Sequence, residues 1–171
     1  MRASVAAASA VLLLSGCAHL LGPVPEGKPS GREGWLVYQL RDLRFEAPGA
    51  WRASGGSRHM RFEAPDGKAR LELSYPETDL VGEKACLASA ESMLRGQARS
   101  LERARRHPTR FAGRPAQTLE ADERGWHVWA FAACDGGVQY RVFFTAWTPA
   151  APEVIEAWRT LVASARVGGE A

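Results

Sequence analysis

The chain has 171 residues, a formal net charge of +3, 46% hydrophobic and 24% charged residues. That length accommodates one domain with a proper core, and the composition excludes a disordered, collagen-like or cysteine-dense chain. The basic residues are almost all arginine, a balance that permits contact with anionic lipid and that a GC-rich coding sequence would also produce.

A single basic residue, Arg2, precedes an apolar run over 5–14 and the stretch Leu14-Ser15-Gly16-Cys17. A basic start, a short apolar core and small residues before a cut describe a signal peptide. The run is about half the ~20 residues that span a bilayer, which argues against an uncleaved transmembrane helix. The last four residues resemble the bacterial lipobox. The resemblance implies cleavage between Gly16 and Cys17 and lipidation of Cys17, where more than one acyl chain anchors stably; the alternative is an ordinary buried thiol. Ala18, where Asp would retain a lipoprotein at the inner membrane, implies the outer membrane and a periplasm-facing domain. An exported chain has no expected nucleic-acid partner.

Residues 17–33 read as a lipidated tether rich in Pro and Gly, with a reach of at most about 50 Å. One domain is expected over 34–166 and a disordered tail over 167–171.

Strands are expected at Trp35–Leu40 and 43–47, followed by a turn at Pro48-Gly49-Ala50-Trp51. Alternation at 58–63 and 69–75 around Pro65-Asp66-Gly67 predicts a hairpin. Over 83–104 the period becomes helical: Cys86, Leu87, Ala90, Met93, Leu94, Gln97 and Leu101 share one face, and Arg95, Arg99 and Arg103 another. Short strands are expected at 109–112 and 116–123 around Gly113-Arg114-Pro115. The segment 126–134 is apolar on both faces, so it must be covered on both. Asp135-Gly136-Gly137 turns it into Val138–Trp147. A final helix starts at Pro152 and carries Val154, Ala157, Trp158, Leu161, Val162 and Ala165 on one stripe. The expected class is α+β, with an antiparallel sheet of six to eight strands flanked by helices.

The lipobox, the tether, Phe45-Glu46-Ala47-Pro48 with Trp51, the Pro-Asp-Gly hairpin and the long helix come in a characteristic order. The Gly-Arg-Pro corner, the long strands and a last helix ending Leu161-Val162-Ala163-Ser164-Ala165 complete it. The arrangement resembles the Mog/PsbP-like α/β/α sandwich of small bacterial lipoproteins over 35–166. That resemblance implies a fold whose members serve as extrinsic subunits of membrane complexes or as partner-binding adaptors, and it carries no shared catalytic residues.

With Cys17 used for lipid, Cys86 and Cys134 remain. In an oxidising compartment they are expected to form a disulfide, stabilising by about 3–4 kcal/mol in the chain-entropy model. Two buried free thiols or a metal site are the alternatives, the latter without a CxxC or HxxxH spacing.

The histidines His19, His59, His107 and His127 fall on separate elements. There is no Gly-x-Ser-x-Gly elbow and no phosphate-binding glycine loop; Glu120, Asp122 and Glu123 read as a solvated strand end. No metal, cofactor or enzymatic activity is therefore expected. Arg95, Arg99 and Arg103, with Trp35 and Trp51 near element ends, form the candidate binding surface, against the simpler reading of a solvated helix face and core tryptophans. Two functions follow. One is a non-enzymatic accessory or binding subunit of the envelope with a protein partner. The other is a carrier or sensor of a small ligand in a pocket between sheet and helix, lined by residues such as Trp129 and Phe143.

Overall fold

The computed structural model describes residues 26–76 and 79–168. The signal peptide, Cys17, Ala18 and His19 lie outside the described residues. Strands β1 (Lys28–Pro29), β2 (Trp35–Leu40) and β3 (Leu43–Pro48) are followed by β4 (Arg52–Gly56), β5 (His59–Glu63) and β6 (Ala69–Ser74). Helix α1 (Gly82–Ala98) leads into four long strands, β7 (Glu102–Phe111), β8 (Arg114–Glu123), β9 (Trp126–Asp135) and β10 (Val138–Trp147). Helix α2 (Pro152–Ser164) and β11 (Arg166–Val167) close the chain.

The fold is α+β and mostly sheet. A seven-stranded sheet runs in the order β4-β5-β6-β10-β9-β8-β7, and a four-stranded one in the order β1-β2-β3-β11. Every pairing is antiparallel. The expected single sheet of six to eight strands is in fact two sheets: β2 and β3, expected in the same sheet as the long strands, pair instead with β1 and β11.

The two faces of β9 explain why its sequence is apolar throughout. On one side Ala130, Ala132 and Cys134 join Leu119 and Ala121 of β8 beneath Cys86, Ala90 and Leu94 of α1. On the other, Trp129 and Phe131 meet Trp158 of α2 at centroid distances of 5.7 and 5.5 Å. The small sheet packs into this second layer: Phe62 of β5 lies 4.7 Å from Tyr38 and 5.8 Å from Phe45. Burying a side chain of this size stabilises by about 1.5–3 kcal/mol, so this aromatic layer joins the two sheets. Cys86 and Cys134 form a disulfide with Cα atoms 5.9 Å apart.

Several boundaries differ from expectation. Helix α1 ends at Ala98, and the chain re-emerges as β7 from Glu102, seven residues earlier than the expected strand. Arg103 therefore lies in a strand, with φ of 50° beside a register shift between Glu102 and Arg105, and does not share a helix face with Arg95 and Arg99. Strand β7 exposes residues on both faces because it is the last strand of its sheet. Pro108, which has no N–H to donate, is tolerated there. Lys28–Pro29 of the expected tether pairs with β2. Val167, expected in the tail, is buried in β11.

Candidate binding site

The face of the large sheet toward α1 is only partly covered. The helix lies over β8 and β9 and stops at Ala98, and beyond its last turn the sheet is open. There lies a cleft of about 440 Å³. Its apolar lining is Leu101, Leu119, Val128 and Phe143; its polar lining is Arg70, Glu72, Gln97, Ser100, Glu123 and Thr145.

Strand alternation puts these residues on one face, and register aligns them. Arg70 of β6 pairs with Thr145 of β10, which pairs with Val128 of β9. In the next row Glu72 pairs with Phe143, Phe143 with Ala130, and Ala130 with Leu119. The row beyond Thr145 ends in Trp147, whose ring lies 5.4 Å from that of its cross-strand partner Trp126 in an edge-to-face arrangement. Trp147 is 45% exposed, unusual for so large an apolar side chain.

The polar groups are unequally satisfied. Ser100 Oγ donates to the carbonyl of Gln97 at 3.0 Å. Glu72 has Arg61 4.0 Å away on the neighbouring strand. Gln97 Oε1 is buried and has no hydrogen-bond partner. A buried unpaired acceptor costs about 1–3 kcal/mol, so an orphan amide on the wall of a cleft is a position where a ligand would be stabilised.

A second polar cluster lies on the opposite face of β8 and β9. Nδ1 of His127 is 2.9 Å from Asp122 Oδ1, and Nε2 is 3.1 Å from Glu120 Oε1. Arg103 Nε pairs with Asp122 Oδ2 at 2.9 Å. The His127 hydrogen bond, assisted by Arg103, holds the Asp122 carboxyl below the usual carboxylate range. Both imidazole nitrogens are engaged by carboxylates. The ring also lies 4.1 Å from that of Trp129. The cluster is an electrostatic clasp joining β7, β8 and β9. Among the described residues no group of three His, Cys, Asp or Glu is arranged to hold a metal ion.

The sequence-derived candidates separate in space. Trp51 is only 9% exposed and packs 5.9 Å from Phe144. It belongs to the core and is no surface anchor. Trp35 is half-buried, with the Arg32 guanidinium 5.3 Å from its ring centroid. Arg95 is exposed and paired with Glu91, and Arg99 is exposed at the end of α1. The expected lining pair is divided by the sheet: Phe143 lines the cleft, whereas Trp129 points to the other face and stacks on Trp158. Sequence reading also missed Arg70, Glu72 and Glu123 as lining residues. Gln97 gave a signal, as the one polar residue on the apolar stripe of α1.

No protein-family model matches the chain, and no curated protein matches it in sequence. Solved structures do. The solution structure of cyanobacterial PsbP (CyanoP) from Synechocystis sp. PCC 6803 superposes with a TM-score of 0.58 at 13% identity, covering 85% of this chain and 99% of that one. The fold is PsbP-like. A crystal structure from Bacteroides thetaiotaomicron matches with a TM-score of 0.53 at 11% identity, over 80% of this chain. The chain spans about half the length of that protein, 49%. At these identities the likeness concerns the PsbP-like fold alone.

Proposed function

We propose that this chain is a lipid-anchored, non-enzymatic accessory subunit of the bacterial cell envelope. In this reading Cys17 carries the lipid, Ala18 directs it to the outer membrane, and the domain binds a protein partner at the membrane surface. The architecture is read as an α/β/α sandwich, with α1 on one side of the large sheet and α2 on the other.

The observation that carries this reading is the Cys86–Cys134 disulfide, because such bonds persist in oxidising, extracytoplasmic compartments. It agrees with the lipobox-like Leu14-Ser15-Gly16-Cys17. Likeness to CyanoP adds support at the level of fold.

The test combines metabolic labelling with an alkyne-tagged fatty acid, membrane fractionation and cross-linking in living cells. The expected result is label that depends on Cys17, loss of label and of membrane association in Cys17→Ser, and one envelope protein recovered in near-equal amount. An unlabelled protein in the soluble fraction would overturn the anchor. Recovery of this chain alone would overturn the accessory role and favour the carrier reading, which the cleft beside α1 supports.

A further inference from the structure

We infer that the cleft at the end of α1 is a binding site for short peptides with free termini, that is, di- or tripeptides with an apolar side chain. The inference rests on the domain being a binding module and not on its lipid anchor.

Three features converge on that chemistry. First, the cleft volume of about 440 Å³ lies within the ~300–1,000 Å³ range of small-ligand sites, and its floor of Leu119, Val128 and Phe143 is apolar. Second, Gln97 lines the cleft, and because its amide oxygen is buried without a partner, a side-chain rotation that turns the amide toward a ligand breaks no hydrogen bond of that oxygen. A primary amide offers one acceptor and donors side by side, the complement of a peptide group, which offers one N–H and one C=O. Either orientation of the Gln97 amide meets that complement.

Third, opposite charges flank the floor. Arg70 lies on β6 and Glu123 on β8, with β10 and β9 between them. Three strand spacings across and two residues along the strands separate their backbones by roughly 16 Å. Their side chains both line the cleft, so the remaining gap suits a peptide of two or three residues, at most about 10 Å long. Arg70 would take the terminal carboxylate as a planar fork, and Glu123 the terminal ammonium. Trp147, exposed at the rim, gives the apolar side chain a stacking surface.

The test is calorimetric titration of the full chain, purified in detergent with its disulfide intact. The probes are Ala-Leu-Ala with free termini, its N-acetylated form and its C-terminal amide. Blocking either terminus is expected to weaken binding about tenfold, a typical loss for a charge-assisted hydrogen bond. Arg70→Gln should abolish the preference for a free C-terminus and keep that for a free N-terminus; Glu123→Gln should do the reverse. Gln97→Leu should weaken all three peptides alike without lowering the melting temperature, since it removes an unpaired acceptor. Absence of binding by the free tripeptide, equal affinity for all three probes, or preferences unchanged in the variants would each overturn the inference. These titrations do not depend on lipidation, so their outcome is independent of the cross-linking result.

Discussion

Cys86, in the first turns of α1, is bonded to Cys134, the residue before the last of β9. Beside the disulfide, Gln139 Nε2 donates to the Cys86 carbonyl at 3.2 Å, and Gln139 Oε1 accepts from Arg141 Nε at 2.7 Å. Helix and sheet are thus joined by one covalent and one polar link, the latter through a fully buried side chain. Replacing both cysteines by alanine opens a 48-residue loop, and about 2–4 kcal/mol of stability should go with it. Urea denaturation of the variant against the oxidised parent measures this. Gln139→Leu, which removes both bonds and leaves Arg141 Nε without its acceptor, should cost about 1–3 kcal/mol.

Trp158 is the contact through which α2 grips the large sheet. Its ring lies 5.5 Å from Phe131 with planes 15° apart, and 5.2 Å from Phe144. Trp158→Ala should destabilise by about 3 kcal/mol. It should also remove much of the near-ultraviolet circular dichroism in the native state, because it uncouples Trp129 from its stacking partner. An unchanged near-ultraviolet spectrum would show that α2 holds the sheet by other means.

Two adjacent glycines in the β9–β10 turn separate sterics from backbone strain. Gly136 has φ of 61° and open space where a Cβ would project. At Gly137 a Cβ would fall 2.0 Å from the Leu80 carbonyl oxygen, and the Gly137 carbonyl accepts the Leu80 N–H at 2.8 Å. Gly136→Ala should cost about 1 kcal/mol, the left-handed penalty. Gly137→Ala should cost more, about 2–3 kcal/mol, because it must displace backbone rather than a flexible side chain. Thermal melts of the two variants decide the order.

Three carboxyl groups are held below their ordinary range. Asp79 accepts two hydrogen bonds from Arg41, at 2.8 and 2.9 Å. Glu63 accepts one from Arg52 at 2.8 Å, and Asp122 is held by His127 and Arg103. A carboxyl with a lower pKa folded than unfolded stabilises the native state above its unfolded value, and that contribution fades as pH falls through the folded value. Stability should therefore be level from neutral pH to about pH 4, the ordinary carboxylate range, and should decline below it. Asp79→Asn should flatten that decline. Added salt should flatten it too, because these pairs are solvent-exposed. Urea midpoints over a pH series test both.

Legibility in the sequence followed burial. Segments that bury one face, such as β5, β6 and β10, alternate and read correctly. The helices α1 and α2 declared their apolar stripes, and the double-sided apolarity of β9 announced covers on both sides. Strand β4, Arg52–Gly56, carries two glycines and no apolar alternation, because it is an edge strand that exposes Arg52 and Ser54 and buries only Gly56. The two-residue strands β1 and β11 have no periodicity to detect. Arg103 looked helical because the four-residue spacing of Arg95 and Arg99 continues past Ala98 by chance of composition. The cleft was invisible for another reason. Its lining comes from four strands and the end of a helix, and only tertiary pairing brings Arg70 and Glu123 to the same depression.

Among the described residues the large sheet ends at β7, whose outer side has no neighbouring strand. An uncovered ten-residue edge invites another chain to add to it. Here that edge is Glu102–Phe111, with Arg103, Arg105, Arg106 and Arg110 along it and Pro108 in its middle. Proline removes one of the donors an incoming strand would need, and the guanidinium groups of Arg105, Arg106 and Arg110 repel any second copy of the same edge. The dense arginine run that looks like a docking surface thus acts as a terminus for the sheet, keeping copies of the domain from joining edge to edge into a continuous sheet.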